Sequence, residues 1–242
     1  MTPGTPGTGG AFVLGATGFV GREVVRQLCV RGTRTIAHVR PDSSALERWR
    51  ATFGALGAEV DTTAWDGTAL VDTLRTRDPD QLYILIGTTR AKAKADRVDG
   101  NIYEQVDLGL TQLAVAAAAS RAGGATADRP RLVYLSSVGA SRDARSAYLE
   151  ARGRAEDVVT SSGLPWVIAR PSFITGDRDE ARVGERGGAL VADGLLAVAG
   201  VFGGRKLRDK YRSTSPDVLA SALIRIGEAP ERDRIVDADG LR

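Results

Sequence analysis

The sequence predicts an α/β fold: a single domain built on a doubly wound parallel sheet, with helices on both faces. Two observations carry that reading. Short apolar runs at 12–14, 35–39, 58–62, 82–86, 132–135 and 166–169 alternate with longer stretches of helical periodicity. Apolar runs without polar alternation mark strands buried on both faces, and strand–helix alternation means parallel strands joined by crossover helices. The second observation is the stretch 11–21, A-F-V-L-G-A-T-G-F-V-G, where three glycines at spacing three join the first strand to a helix. At 242 residues, 43% of them hydrophobic, the chain is long enough for one domain with a full core.

Residues 1–10 hold only Gly, Pro and Thr after the initial Met and read as a disordered tail, which leaves 11–242 as the domain. After the first strand, Val20, Val24, Val25 and Leu28 share one helix face. The second strand ends in His38-Val39-Arg40-Pro41, and Asp42 and Ser43 are placed to cap a helix through Trp49 and Phe53. The third strand precedes Trp65-Asp66-Gly67 and a helix over 68–77 with Leu70, Val71 and Leu74 inward. The fourth strand leads into a polar, lysine-rich loop over 87–100. A long helix is predicted over 101–122, with Ile102, Val106, Leu113 and Ala117 at helical spacing. The fifth strand runs into Ser136-Ser137-Val138-Gly139, a helix over 145–161 carries Tyr148, and the sixth strand closes on Arg170-Pro171. Beyond Pro171 the alternation loosens. An apolar helical piece at 189–201 lies in a glycine-broken stretch, a helix over 215–226 has Pro216 in its first turn, and a last strand is predicted at 234–236. This part is too short for a second domain and reads as a small cap over a crevice at the carboxyl ends of the strands.

Strand, glycine turn and helix is the context that a dinucleotide-binding fingerprint requires. Gly15 lets the chain turn sharply out of the strand, Gly18 lets the backbone approach a pyrophosphate, and Gly21 lets the helix pack close to the strand. The free N–H groups and positive dipole end at the helix start attract phosphates. Thr17, Phe19 and Val20 complete this cofactor-binding stretch. In the common fingerprint an acid at the end of the second strand binds the ribose 2′-OH and marks NAD; here Arg40 holds that place. A guanidinium pairs with a 2′-phosphate, which favours NADP(H), and Arg22 adds positive charge nearby. The alternative leaves Arg40 solvated and gives the ribose to Asp42. Asp66 is placed either to accept a bond from the adenine amino group or simply to form the turn before Gly67.

Composition removes other classes of function. The net charge is +3, with arginines interspersed among acids, whereas a nucleic-acid surface clusters its positive charge. One cysteine, Cys29, allows no internal disulfide, and that suggests a reducing cytoplasm. No apolar run approaches membrane-spanning length, so no membrane partner is expected. A Ser-His-Asp hydrolase would have to use His38, the single histidine, which lies inside a predicted strand, and one histidine with one cysteine predicts no metal site.

The G-A-T-G-F-V-G turn, Ser136-Ser137 at a strand end and Tyr148 about a dozen residues later together resemble the short-chain dehydrogenase/reductase superfamily. Four further stretches resemble its atypical Tat-interacting protein 2 branch: Gly87-Thr88-Thr89-Arg90-Ala91-Lys92, L-S-S-V-G-A-S at 135–141, Y-L-E-A-R-G-R-A-E at 148–156 and A-R-P-S-F-I-T-G-D-R at 169–178. The resemblance spans about 11–178 and implies a Rossmann-like fold. It implies hydride transfer between a nicotinamide and a small carbonyl or alcohol substrate, with Gly87, Thr88, Ser136, Arg170 and Pro171 against the cofactor. Carried over, Ser137 (or Ser136) binds the substrate oxygen and Tyr148 gives or takes the proton. The superfamily's lysine, which binds the nicotinamide ribose and lowers the tyrosine pKa, is replaced by Arg152, one helical turn beyond Tyr148. An arginine brings the charge with a different reach. Two functions follow: an NADP(H)-dependent oxidoreductase, or a non-catalytic NADP(H)-binding regulator.

Overall fold

The computed structural model describes residues 10–87, 101–121, 130–172 and 214–242. Strands β1 (Ala11–Leu14), β2 (Thr35–His38), β3 (Glu59–Asp61), β4 (Gln81–Ile84), β5 (Arg131–Leu135), β6 (Trp166–Arg170) and β7 (Arg234–Asp237) form one sheet among the described residues. The order is β3-β2-β1-β4-β5-β6-β7 and every pairing is parallel. Helices are α1 (Phe19–Val30), α2 (Leu46–Ala55), α3 (Gly67–Arg77), α4 (Leu110–Arg121), α5 (Ala147–Thr160) and α6 (Pro216–Glu228). This is the Rossmann-like α/β architecture that the alternation predicts. The strand order reverses at β1, which pairs with β2 on one side and β4 on the other. The crevice outside the carboxyl ends of β1 and β4 is therefore the topological switch point, where doubly wound folds bind ligands.

Alternation along each strand splits the core into two layers. Ala11, Val13, Ala37, Tyr83, Val133 and Val167 pack under α1, α2 and α6, with Val24, Leu28, Phe53 and Leu223. Phe12, Leu14, Ile36, Leu82, Tyr134 and Ile168 pack on the other face against α3, α4 and α5, with Leu74, Ala118 and Val159. The central strands are buried on both faces, which explains why they read as unbroken apolar runs.

Element bounds differ from the expectations by a few residues, with three larger differences. Gly10, placed in the tail by its composition, already belongs to the fold: its carbonyl accepts from Asp80 and Gln81 and its N–H donates to Asp80. Asp42 and Ser43 do not cap α2; its N-cap position is Ala45, with no side-chain cap bond. The helix predicted over 101–122 opens instead as a π-helical segment, Tyr103–Gly109, and takes α geometry only from Leu110. The rest of the predicted tail (1–9), the predicted loop beyond Gly87 (88–100), and the 189–201 piece with most of the predicted cap lie outside the described residues.

Candidate functional site

The glycine turn sits at the switch point. Gly15 has φ +80°, a left-handed conformation that favours glycine, and a Cβ there would stand 2.5 Å from the Leu85 carbonyl oxygen. At Gly21 a Cβ would meet the Gly15 carbonyl oxygen at 2.1 Å, so α1 packs directly on the turn. Gly18, the N-cap of α1, differs: a Cβ there would meet only the Gly15 carbonyl oxygen, at 3.1 Å, and otherwise open space. The first turn of α1 holds no acid and no side-chain cap, so its unpaired amides are left for an anion. Thr17 and Phe19 are half-buried beside the turn, while the Val20 side chain lies in the core and leaves only its backbone for a ligand.

The second-strand end carries the expected cation. Arg40 is about half exposed and forms an ion pair with Asp42 at 3.6 Å, so the two alternative ribose ligands are partners. Arg22 stacks over Trp49, 5.8 Å from the ring centroid, and Arg48 lies over the same ring at 4.8 Å. Asp66 is the N-cap of α3: its Oδ1 accepts from the Ala69 N–H at 2.9 Å. The structure thus gives Asp66 the local capping role. His38 is buried between Phe12 and Trp65, and its Nε2–H donates to the Thr63 carbonyl at 2.8 Å. Burial pushes its pKa down, against a smaller opposing effect of the Thr63 bond.

On the β4–β5–α5 side, side chains rather than backbone shape the site. Arg152 is 5% exposed. Its terminal nitrogens donate to the Leu135 carbonyl at 2.7 Å, the Ile86 carbonyl at 3.0 Å and the Tyr134 hydroxyl at 3.2 Å. They also form an ion pair with the fully buried Asp107 at 2.7 Å. Burial opposes the charge, but Tyr134, Tyr148 and Asp107 outweigh it and hold the Arg152 pKa well above its ordinary value. The Arg152 guanidinium carbon lies 5.4 Å from the Tyr148 ring centroid. Gly87 gives this cation room: a Cβ there would stand 2.7 Å from an Arg152 terminal nitrogen. Arg152 is therefore a buried tie between the β4 and β5 ends, with its terminal donors engaged inside the protein. That corrects the picture of a cation reaching out to a ribose.

Ser136 and Arg170 are likewise occupied. The Ser136 hydroxyl donates to Glu156 at 2.5 Å, and Arg170 grips the same carboxylate through two nitrogens at 2.9 and 2.5 Å. Their side chains thus serve Glu156 instead of standing free for a cofactor. Pro171 is buried, and its carbonyl accepts from Val138, continuing the β5–β6 pairing. Ser137 is half-buried, with its hydroxyl 3.4 Å from the Val138 carbonyl. Thr88 lies outside the described residues. Sequence reasoning missed Asp107 and Glu156. The signal for Glu156 was the four-residue stepping Tyr148, Arg152, Glu156 along one helix face. Among the described residues there is no cluster suited to a metal ion, and no helix is long and apolar enough to cross a membrane.

A parallel sheet with a glycine turn and an anion-receptive helix start at its switch point defines a dinucleotide-binding protein. Residues 15–194 match the model of the NAD(P)H-binding family, and the chain belongs to that family. "Protein fmp52, mitochondrial" from Aspergillus clavatus is 32% identical over 225 residues, covering 89% of this chain and 85% of that protein. Among solved structures, a short-chain dehydrogenase/reductase family oxidoreductase from Burkholderia thailandensis superposes with a TM-score of 0.63 at 20% identity, covering 93% of this chain and 89% of that one. AtPrR2, solved with NADP+ and (+)pinoresinol, gives 0.64 at 16% identity, covering 96% and 70%. At these identities the structures share the fold. The cytoplasmic expectation is overturned: the Aspergillus clavatus relative and its counterparts from Scheffersomyces stipitis and Candida albicans are named mitochondrial. A single cysteine excludes an internal disulfide but does not choose between compartments.

Proposed function

We propose that this protein is an NADP(H)-dependent oxidoreductase that reduces a small carbonyl substrate or oxidises the corresponding alcohol. The observation that carries the reading is the half-buried Tyr148 beside a permanently charged, buried Arg152, in a family that binds NAD(P)H. The α1 turn would hold the pyrophosphate through backbone amides, since Gly18 leaves the approach open. Arg40 would take the 2′-phosphate, exchanging its solvent-screened contact with Asp42 for a charge-assisted pair. That choice is supported by the NADP+ bound to AtPrR2. The bound nicotinamide would supply the hydride chemistry. Ser137 would donate a hydrogen bond to the substrate oxygen, and Tyr148 would deliver the proton to it in the reducing direction.

A non-catalytic reading draws on one observation: the Arg152 terminal nitrogens are all engaged within the protein. One experiment separates the two. NADPH oxidation is followed against a panel of aldehydes, ketones and quinones, with Tyr148→Phe as control. Turnover lost in Tyr148→Phe with NADPH affinity retained supports the oxidoreductase. Tight NADPH binding without turnover on any member supports the regulator.

A further inference from the structure

We propose that the π-helical segment Tyr103–Gly109 positions Tyr148, with Tyr103 and Asp107 as the two positioning residues; the inference rests on Tyr148 being the proton donor. Among the described residues, the aromatic contact and the cation contact of the Tyr148 ring both lead to this one segment. Tyr103 meets the ring edge-on, with centroids 5.4 Å apart and planes at 66°. Asp107 is fully buried and forms the ion pair with Arg152, whose guanidinium carbon lies 5.4 Å from the Tyr148 ring centroid. Tyr103 acts on the ring directly, and Asp107 acts through Arg152.

The need for such bracing follows from where Tyr148 sits. It is the second residue of α5, and the N-cap Ser146 makes no side-chain cap bond there. A half-buried side chain there exchanges rotamers on the picosecond-to-nanosecond scale unless neighbours hold it. Proton delivery requires the phenol to point at one atom, and a misplacement of about 1 Å can cost ~100-fold in rate. A π-helical turn is rare and is found frequently at functional sites. Here it replaces the α-helix that the sequence periodicity predicts, at residues that reach α5: Tyr103 and Asp107 toward Tyr148 and Arg152, and Glu104 in an exposed ion pair with Arg154. Among the described residues Asp107 is the carboxylate paired with Arg152, whose other partners there are neutral carbonyls and a hydroxyl. It holds the cation against the ring and keeps the buried charge compensated.

The test uses the full chain and the variants Tyr103→Phe, Tyr103→Ala and Asp107→Asn, each with and without Tyr148→Phe. The first readout needs no cofactor: the near-ultraviolet circular dichroism owed to Tyr148, taken as the difference between each background and its Tyr148→Phe counterpart. The second is kcat and KM for NADPH on the carbonyl panel. Tyr103→Ala and Asp107→Asn should lose most of the Tyr148 signal and lower kcat by ~10–100-fold at unchanged KM for NADPH, and Tyr103→Phe should restore both. A Tyr148 signal that stays at the parent level in Tyr103→Ala and Asp107→Asn overturns the proposal. A collapsed signal in a protein that turns over no carbonyl supports the positioning role and defeats the catalytic reading instead. If Asp107→Asn does not fold, the Tyr103→Ala and Tyr103→Phe pair decides alone.

Discussion

The β1–α1 end of the crevice and the β4–β5–α5 end solve the same problem with opposite means. At β1–α1 the backbone does the shaping: three glycines set the turn, the first helical turn has no acid, and no side-chain cap covers its amides. At β4–β5–α5 two ion pairs do it, the buried Arg152 with Asp107 and the partly exposed Arg170 with the buried Glu156. A backbone-made site tolerates side-chain change at its rim but no added Cβ at its centre. A site made of buried charges tolerates little removal, because each charge depends on its partner for compensation.

The largest expected effect tests the charged end. Arg152→Met should lower unfolding free energy by about 3–5 kcal/mol, since it removes the cation paired with the fully buried Asp107. The double change Arg152→Met with Asp107→Leu should recover most of that loss, as urea unfolding of the cycle would show. Additive losses would mean that the two side chains are not energetically coupled. At the backbone end, Gly18→Val should lower the melting temperature of the free protein only modestly, because its Cβ meets a single tight contact, the Gly15 carbonyl oxygen at 3.1 Å, while abolishing thermal stabilisation by NADPH. A variant still stabilised by NADPH would place the pyrophosphate elsewhere.

A smaller effect is expected at the exposed rim. Arg40→Ala should narrow the NADPH-over-NADH preference by about 1–3 kcal/mol, measurable by calorimetry, since one charge-assisted contact is at stake. Equal affinities in the parent protein would remove the case for NADP(H). The smallest effect concerns His38. Its folded pKa lies below the ordinary value of 6.5, so as pH falls through that value the unfolded chain takes up a proton that the folded chain refuses. Stability from this group is present above about pH 6.5, declines below it, and levels off once the folded pKa is passed. Thermal melts at pH 7.5 and 5.5 should show the decline, and His38→Gln should flatten it.

The same contrast explains what the sequence made legible. Gly15, Gly18 and Gly21 act through the backbone, and backbone demands leave a spacing that can be read directly. The strands were legible because burial on both faces forbids polar alternation. Ser136 and Arg170 were placed correctly at strand ends, yet their partner Glu156 is distant in sequence from both, and nothing local to either one points to it. Asp107 was hidden for another reason. The 3.6-residue periodicity of 101–122 assumes a uniform helix, and the π-helical segment changes the phase, so the face assignment fails where the buried acid sits. The arginine in the lysine position was visible, but the carboxylate that compensates it emerges only from the packing of two helices. Compartment was not legible at all from a count of one cysteine.

The four-residue stepping of Tyr148, Arg152 and Glu156 also sets which kinds of change the chain can absorb. Arg152 pins α5 to the ends of β4 and β5, and Glu156 pins it to Ser136 after β5 and to Arg170 at the end of β6. Two pins one helical turn apart fix both the height and the roll of the rod that carries the tyrosine. Inserting or deleting a single residue between 152 and 156 would rotate one pin against the other by about 100°, and between 148 and 152 it would swing the tyrosine off the pinned face by the same angle. Within that stretch the chain can vary in letters but not in length, and any difference in length among proteins sharing this site must fall outside it.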